Sequence, residues 1–158
     1  MFVLIRALTY STLFIGLVLV FLPANVLSAS GVVAPLAFGP WQFAGMVVGA
    51  AGAAVAVSCI LVFAFAGRGT PAPFDPPRRL VTRGPYRVVR NPMYVGAALA
   101  LTGAALFYRS PPLLAYVAAF GLITHLFVIL YEEPTLRRTF GQDYEAYCVR
   151  TGRWWPRP

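Results

Sequence analysis

The chain contains no lysine and very little acid. Its 158 residues include 13 arginines but only five aspartates and glutamates, and only 11% of the residues are charged. A soluble domain carries about 25% charged residues. This shortage of charge, together with 59% hydrophobic residues, excludes an ordinary water-surrounded domain and indicates one integral membrane domain.

Metal-ligating side chains are also scarce. Cys59 lies in an apolar run and Cys148 in the polar end of the chain, so we expect no disulfide. No cluster has metal-ligand spacing, so we predict no metal site. His125, the only histidine, lies within an apolar run. An ionisable group there is a functional candidate, although a neutral side chain bonded to a neighbouring helix is the simpler interpretation.

Long apolar runs predict four transmembrane helices, because about 20 apolar residues span a bilayer. The runs are residues 2–22, 41–65, 93–108 and 113–131. A cleaved signal peptide is the alternative for the first run, but that run is long and its start is poorly charged. Pro23 begins a predicted uncharged loop. Gly45-x-x-x-Gly49 allows close helix approach, and we favour an Ala/Gly-rich helix without a special dimer role.

The predicted fold is therefore an all-α, polytopic membrane protein whose last two spans form a helical hairpin. We treat residues 1–158 as a single membrane domain: 1–66 supply two N-terminal spans, and 67–158 supply a polar loop, the hairpin and a tail. Apolar residues at three- and four-residue spacing predict an amphipathic C-terminal helix along the interface, with Gly141 as a possible interruption. These residues are Leu136, Phe140, Tyr144 and Tyr147.

The arginines are distributed unevenly across the predicted membrane. With four spans, twelve arginines share one side with both termini, the loop 67–91 and the tail, and only Arg109 lies opposite. The positive-inside rule makes that shared side cytoplasmic, which predicts a cytoplasmic or inner membrane location. Because the basic residues flank apolar segments, we expect contact with the lipid bilayer and no nucleic-acid partner.

The hairpin brings two polar clusters together at its cytoplasmic end. The clusters consist of Arg87, Arg90, Asn91 and Tyr94 on one side and Glu132, Glu133 and Tyr144 on the other. One interpretation is structural, with the acids pairing with arginines to hold the hairpin base. The variety of donors beside two adjacent acids, and Pro92 fixing the helix start, favour a ligand site.

The residues of these clusters form two motifs in a specific order. The first is Gly84-Pro85-Tyr86-Arg87-Val88-Val89-Arg90-Asn91-Pro92-Met93-Tyr94-Val95-Gly96, and the second is Glu132-Glu133 followed by Leu136, Phe140, Gly141, Tyr144 and Tyr147. Residues 82–156 thereby resemble the isoprenylcysteine carboxyl methyltransferase and phospholipid methyltransferase superfamily of membrane enzymes. Asn91 stands where that family has histidine, and asparagine cannot carry a proton in acid–base catalysis.

The resemblance implies methyl transfer from S-adenosylmethionine to a lipophilic or membrane-embedded acceptor at the cytoplasmic face. The cofactor carboxylate suits Arg90, and its ammonium and ribose hydroxyls suit Glu132 and Glu133. If the acceptor carries an acid, Arg87 or Arg153 would hold it. The implied cofactor-binding residues are Tyr86, Arg90, Asn91, Pro92, Tyr94, Gly96, Glu132, Glu133, Leu136 and Tyr144. The implied catalytic residues are Arg87, Arg90 and Glu133.

Two alternatives stay open on the sequence. An NADPH-dependent membrane reductase of the steroid-reductase type has a similar C-terminal half, but the short chain and the Glu132-Glu133 pair favour the methyltransferase. A non-catalytic membrane protein that keeps the fold is also compatible with Asn91. The sequence identifies neither the methyl acceptor nor the oligomeric state.

Overall fold

The computed structural model describes residues 15–33, 35, 37–62 and 80–157, and the regular elements in these ranges are helical. The helices are α1 (Ile15–Ala29), α2 (Pro40–Val62), α3 (Pro92–Tyr108), α4 (Pro111–Phe140) and α5 (Gln142–Arg150), with a 3-10 turn at Gly84–Arg87. A single parallel bridge pairs Val89 with Gly152. The all-α prediction is confirmed for these ranges.

Two of the described helices are long and apolar enough to cross a bilayer, namely α2 and α4. Helices α1 and α3 are apolar but shorter. The 17 residues of α3 rise about 25 Å, slightly less than a hydrocarbon core of about 30 Å. The structure therefore supports a membrane protein with two candidate spans. The four-span topology stays a prediction, and the first 14 residues of the chain and residues 63–79 lie outside the described ranges.

Helix α1 extends beyond its predicted end. It runs to Ala29, so the prediction that a loop begins at Pro23 is wrong. The segment Ile15–Phe21 is π-helical and leads directly into the α-helical segment Leu22–Ala29. A proline lacks an N–H group and its ring crowds the carbonyl four residues earlier. The wider π turn immediately before Pro23 accommodates that missing hydrogen bond without ending the helix.

Helix α4 is also longer than predicted. It begins at Pro111, where Ser110 caps it by accepting a hydrogen bond from the Leu113 amide at 3.3 Å. It continues through a π-helical turn at Val128–Glu132 and ends at Gly141, whose φ of +53° favours glycine. The predicted amphipathic face is thus split between α4 and α5. An interfacial position for this region stays a prediction.

Glycines hold α2 directly against α3. A Cβ atom added to Gly45 would lie 2.6 Å from the Gly103 carbonyl oxygen, so the two backbones touch. The Gln42 side chain, which is buried, donates to the Phe107 carbonyl at 3.1 Å across the same contact. The small-residue face of α2 therefore packs against α3 of the same chain. Small residues allow two helices in lipid to approach this closely. This contact gives α3 a fixed support behind the polar loop.

Candidate functional site

The loop before α3 is fixed from two sides. Gly84 has a φ of +59° and opens the turn Gly84–Arg87, which buries Tyr86 against α2. Further along, the Arg90 amide donates to the Gly152 carbonyl at 2.8 Å. The segment that follows α5 therefore lies beside the loop. These contacts set the direction in which the Arg90 side chain leaves the backbone.

Glu133 is the centre of a buried ion network. Arg153 donates through Nε and Nη2 to the two carboxylate oxygens at 2.7 and 2.8 Å. Arg90 Nη2 lies 3.2 Å from Glu133 Oε1, and the Glu133 side chain is only 7% exposed. The two-pronged contact with Glu133 raises the pKa of Arg153. Of the predicted pairing of Glu132 and Glu133 with Arg87 and Arg90, the described residues show only the pair of Arg90 with Glu133, and Arg153 shares that carboxylate.

Glu132 has a different environment. The Tyr94 hydroxyl donates to Glu132 Oε2 at 3.1 Å, which ties the first turn of α3 to α4. Among the described residues, no arginine lies within ion-pair distance of Glu132. Adjacent residues on a helix point in different directions, so Glu132 and Glu133 lie in separate environments. Glu132 is consequently the carboxylate of the pair that keeps capacity for a further partner.

Three tyrosines surround these charges. The Tyr147 hydroxyl donates to the Tyr86 carbonyl at 2.6 Å, and Tyr144 is only 2% exposed. Burial raises the pKa of all three phenols, so they stay protonated and neutral. The tyrosines therefore contribute apolar ring surface and hydroxyl groups without adding charge.

The charged and aromatic side chains line one cleft that is partly open to solvent. The lining residues are Leu80, Val81, Tyr86, Arg90, Asn91, Glu132, Glu133, Leu136, Tyr144 and Tyr147. Arg90 Nη1 contacts the Cys148 sulfur. Arg90 Nε is buried and has no hydrogen-bond partner among the described residues. A buried donor left in this state costs free energy unless a ligand or water accepts from it.

Comparison with known proteins gives a family for the chain. A family profile described as phospholipid methyltransferase matches residues 41–143, well over half of the sequence. The chain belongs to the phospholipid methyltransferase family. The matched segment of this family member contains α2, the loop before α3, the hairpin and both acids.

Two curated relatives are similar over about half of the family member. Each is named probable protein-S-isoprenylcysteine O-methyltransferase, one from Oryza sativa subsp. indica and one from subsp. japonica. Each is 34% identical over 80 residues, which is 49% of this chain and 40% of the relative. The chain thus spans about two fifths of the length of these relatives. No solved structure gives a significant match to this methyltransferase family member.

Most of the residues that we predicted for a site meet in the cleft. These are Tyr86, Arg90, Asn91, Glu132, Glu133, Leu136 and Tyr144. Tyr94 adjoins the cleft through Glu132, and Pro92 is buried at the first turn of α3. Arg87 is exposed and is not a lining residue. Gly96 faces α2, because a Cβ there would lie 2.9 Å from the Gly52 carbonyl oxygen.

Sequence reasoning missed the contribution of the chain end. We expected Arg87 or Arg153 to hold an acceptor that carries an acid, and the structure binds Arg153 to Glu133. The Asn91 side chain, expected to contact a cofactor, donates to the Arg153 carbonyl at 3.2 Å. Cys148 and Tyr147 were not predicted to join the site. Buried acids need cations nearby, so the Glu132-Glu133 pair indicates that arginines of the tail lie close to it. This argument does not identify which tail arginine makes the contact.

Proposed function

We propose that this protein transfers a methyl group from S-adenosylmethionine to a lipophilic acceptor at the cytoplasmic surface of a membrane. The cleft at the hairpin base carries the proposal, because it combines a buried arginine donor, tyrosine rings and a carboxylate that has no cation partner among the described residues. All of the acids and the arginine involved lie in the segment that matches the methyltransferase family. That family assignment also favours methyl transfer over the NADPH-dependent reductase.

The side chains fit the polar groups of this cofactor. Arg90 Nε needs an acceptor, and a carboxylate such as that of the methionine moiety provides one. Glu132 uses one oxygen for Tyr94, and its remaining acceptor capacity suits an ammonium group or ribose hydroxyls. The rings of Tyr86 and Tyr144 supply flat apolar surface of the kind on which an adenine base stacks.

Methyl transfer requires this chain mainly to orient the cofactor and to exclude water from the site. When bound, S-adenosylmethionine supplies an electrophilic methyl group on a positively charged sulfur. The chain would bind both ends of the cofactor, orient it and exclude water, which are the main requirements of an in-line displacement. We assign direct contacts to Arg90 and Glu132. Glu133, which two arginines already neutralise, would hold Arg90 in place and need not contact the ligand.

An apolar face of α4 supports a lipid-like acceptor. Four exposed apolar residues lie on α4 before the two acids, namely Leu122, Ile123, Leu126 and Leu130. An exposed apolar stripe on a candidate membrane span faces lipid. A lipophilic acceptor moving along this face would reach the level of Glu132. The rice relatives are named for action on protein-S-isoprenylcysteine, and we propose an acceptor of a comparable lipid-linked kind.

Calorimetric titration of the protein in detergent micelles tests the proposal. We expect saturable binding of S-adenosylhomocysteine and no heat with NADPH. Glu132→Gln should weaken the affinity at least about tenfold, since a hydrogen bond to a charged group contributes about 1.5–3 kcal/mol. Glu145→Gln, an exposed acid paired with Arg137, is the matched control and should bind normally.

The other outcomes of the titration are equally informative. Binding of NADPH alone would contradict the proposal and favour the reductase. The absence of binding heat with both ligands would favour a membrane protein that keeps the fold without catalysis. Normal affinity in Glu132→Gln would remove this carboxylate from the ligand contacts.

A further inference from the structure

Trp154 lies between the two helices of the hairpin. Its Nε1 donates to His125 Nδ1 on α4 at 3.0 Å. The centre of the indole ring is 6.0 Å from the His125 ring and 6.4 Å from the Tyr94 ring on α3. The next residue, Trp155, is 81% exposed. The contact is therefore particular to Trp154 and is not a general property of the tryptophan pair.

The residues immediately before Trp154 are bound to both halves of the site. Gly152 accepts from the Arg90 amide, and Arg153 forms the two-pronged contact with Glu133. The Arg153 carbonyl accepts from Asn91. These contacts need the segment 152–154 to keep one position against the loop and α4. The hydrogen bond from Trp154 to His125 holds the segment in that position.

We propose that His125 and Trp154 are positioning residues for the site, and this inference rests on the proposed function. Trp154 touches the ring of Tyr94, whose hydroxyl binds Glu132. It also directly follows Arg153, which binds Glu133. One indole ring therefore steadies the partners of both acids. His125 holds the indole by accepting through Nδ1, which requires that nitrogen to be unprotonated.

Amide hydrogen exchange tests the positioning role without any ligand. His125→Leu removes the acceptor and Trp154→Phe removes the donor while keeping a ring. In both variants the amides of residues 84–91 and 151–157 should exchange about fivefold faster, since a typical hydrogen bond contributes about this factor. His125→Asn keeps an acceptor near Nδ1 and should restore slow exchange. Trp155→Phe is the control and should match the wild type.

Ligand affinity in the same variants tests the link to the site. His125→Leu and Trp154→Phe should weaken S-adenosylhomocysteine binding about fivefold, with rescue by His125→Asn and no effect of Trp155→Phe. Unchanged exchange in His125→Leu would overturn the proposal, as would faster exchange spread evenly through α2 and α3. Local loosening with unchanged affinity would also overturn it. If the wild type binds no S-adenosylhomocysteine, the proposed function fails, while the exchange comparison still decides whether this contact holds the chain end.

Discussion

Replacing Glu133 by glutamine separates the structural acid from the ligand-binding acid. The change keeps the size of the side chain but removes the charge that Arg90 and Arg153 share. Breaking a buried ion pair by removing one partner costs about 3–5 kcal/mol, because a buried charge is left uncompensated. The Arg90 side chain is only 11% exposed, whereas that of Arg153 is 33% exposed and keeps some hydration. We therefore expect a loss at the lower end, about 3 kcal/mol of unfolding free energy.

Glu132→Gln is the matched comparison and should behave oppositely. A glutamine oxygen still accepts from the Tyr94 hydroxyl, and no ion pair with Glu132 exists among the described residues to be broken. Its unfolding free energy should change by less than about 1 kcal/mol. Its affinity for S-adenosylhomocysteine should nevertheless fall at least about tenfold, as calculated above for a contact to a charged group.

Unfolding in mixed micelles, followed by helical circular dichroism while denaturing detergent is added, gives the stability of both variants. Calorimetric titration gives their affinities. The reasoning is refuted if Glu133→Gln is as stable as the wild type, because the buried network would then contribute nothing measurable. It is also refuted if Glu132→Gln loses more stability than Glu133→Gln. If both acids instead bound the ligand directly, Glu132→Gln and Glu133→Gln would be equally stable and would lose the same affinity for S-adenosylhomocysteine.

Four further variants test the packing of the fold by the same unfolding assay. Gly45→Ala should cost about 1–3 kcal/mol, because its Cβ would meet the backbone of α3 at 2.6 Å; Gly121→Ala, with nothing within 4 Å, should be neutral or stabilising. Tyr147→Phe should cost about 0.5–1.5 kcal/mol by removing the hydrogen bond from the Tyr147 hydroxyl to the Tyr86 carbonyl. Arg137→Ala should cost less than about 1 kcal/mol, since the side chain is 48% exposed in its ion pair. A loss in Arg137→Ala that matched the loss in Gly45→Ala would contradict this ranking.

The meeting of the loop cluster before α3 with the two acids on α4 could be predicted from the sequence. A short turn between two apolar helices of similar length forces their polar ends together, whatever the side chains in between. The helix start at Pro92 also follows from local chemistry, since proline is favoured at the first helical position. Composition and hydropathy are sufficient for both inferences.

The path of the chain end could not be predicted in this way. Arg153 reaches Glu133 because Gly152 pairs with the loop and Trp154 reaches His125. Each of these contacts joins residues at least 20 positions apart and depends on tertiary placement. No local pattern distinguishes Arg153 from the other tail arginines. The same limit explains why Arg87, a loop arginine like Arg90, proves to be exposed.

Helix ends at proline and glycine were only partly predictable. Pro23 is a helix breaker by its covalent structure, yet the π-helical turn before it carries the helix on to Ala29. Gly141 breaks the tail, as its conformational freedom suggested. Whether a breaker ends a helix depends on the neighbouring turn, which the residue type alone does not specify.

A structure of the protein bound to S-adenosylhomocysteine tests the central claim most directly. The account predicts ligand density in the cleft at the hairpin base, with a carboxylate against Arg90 Nε and an ammonium or ribose hydroxyl against Glu132. Density elsewhere on the protein, or a cleft that stays empty at saturating ligand, would contradict it.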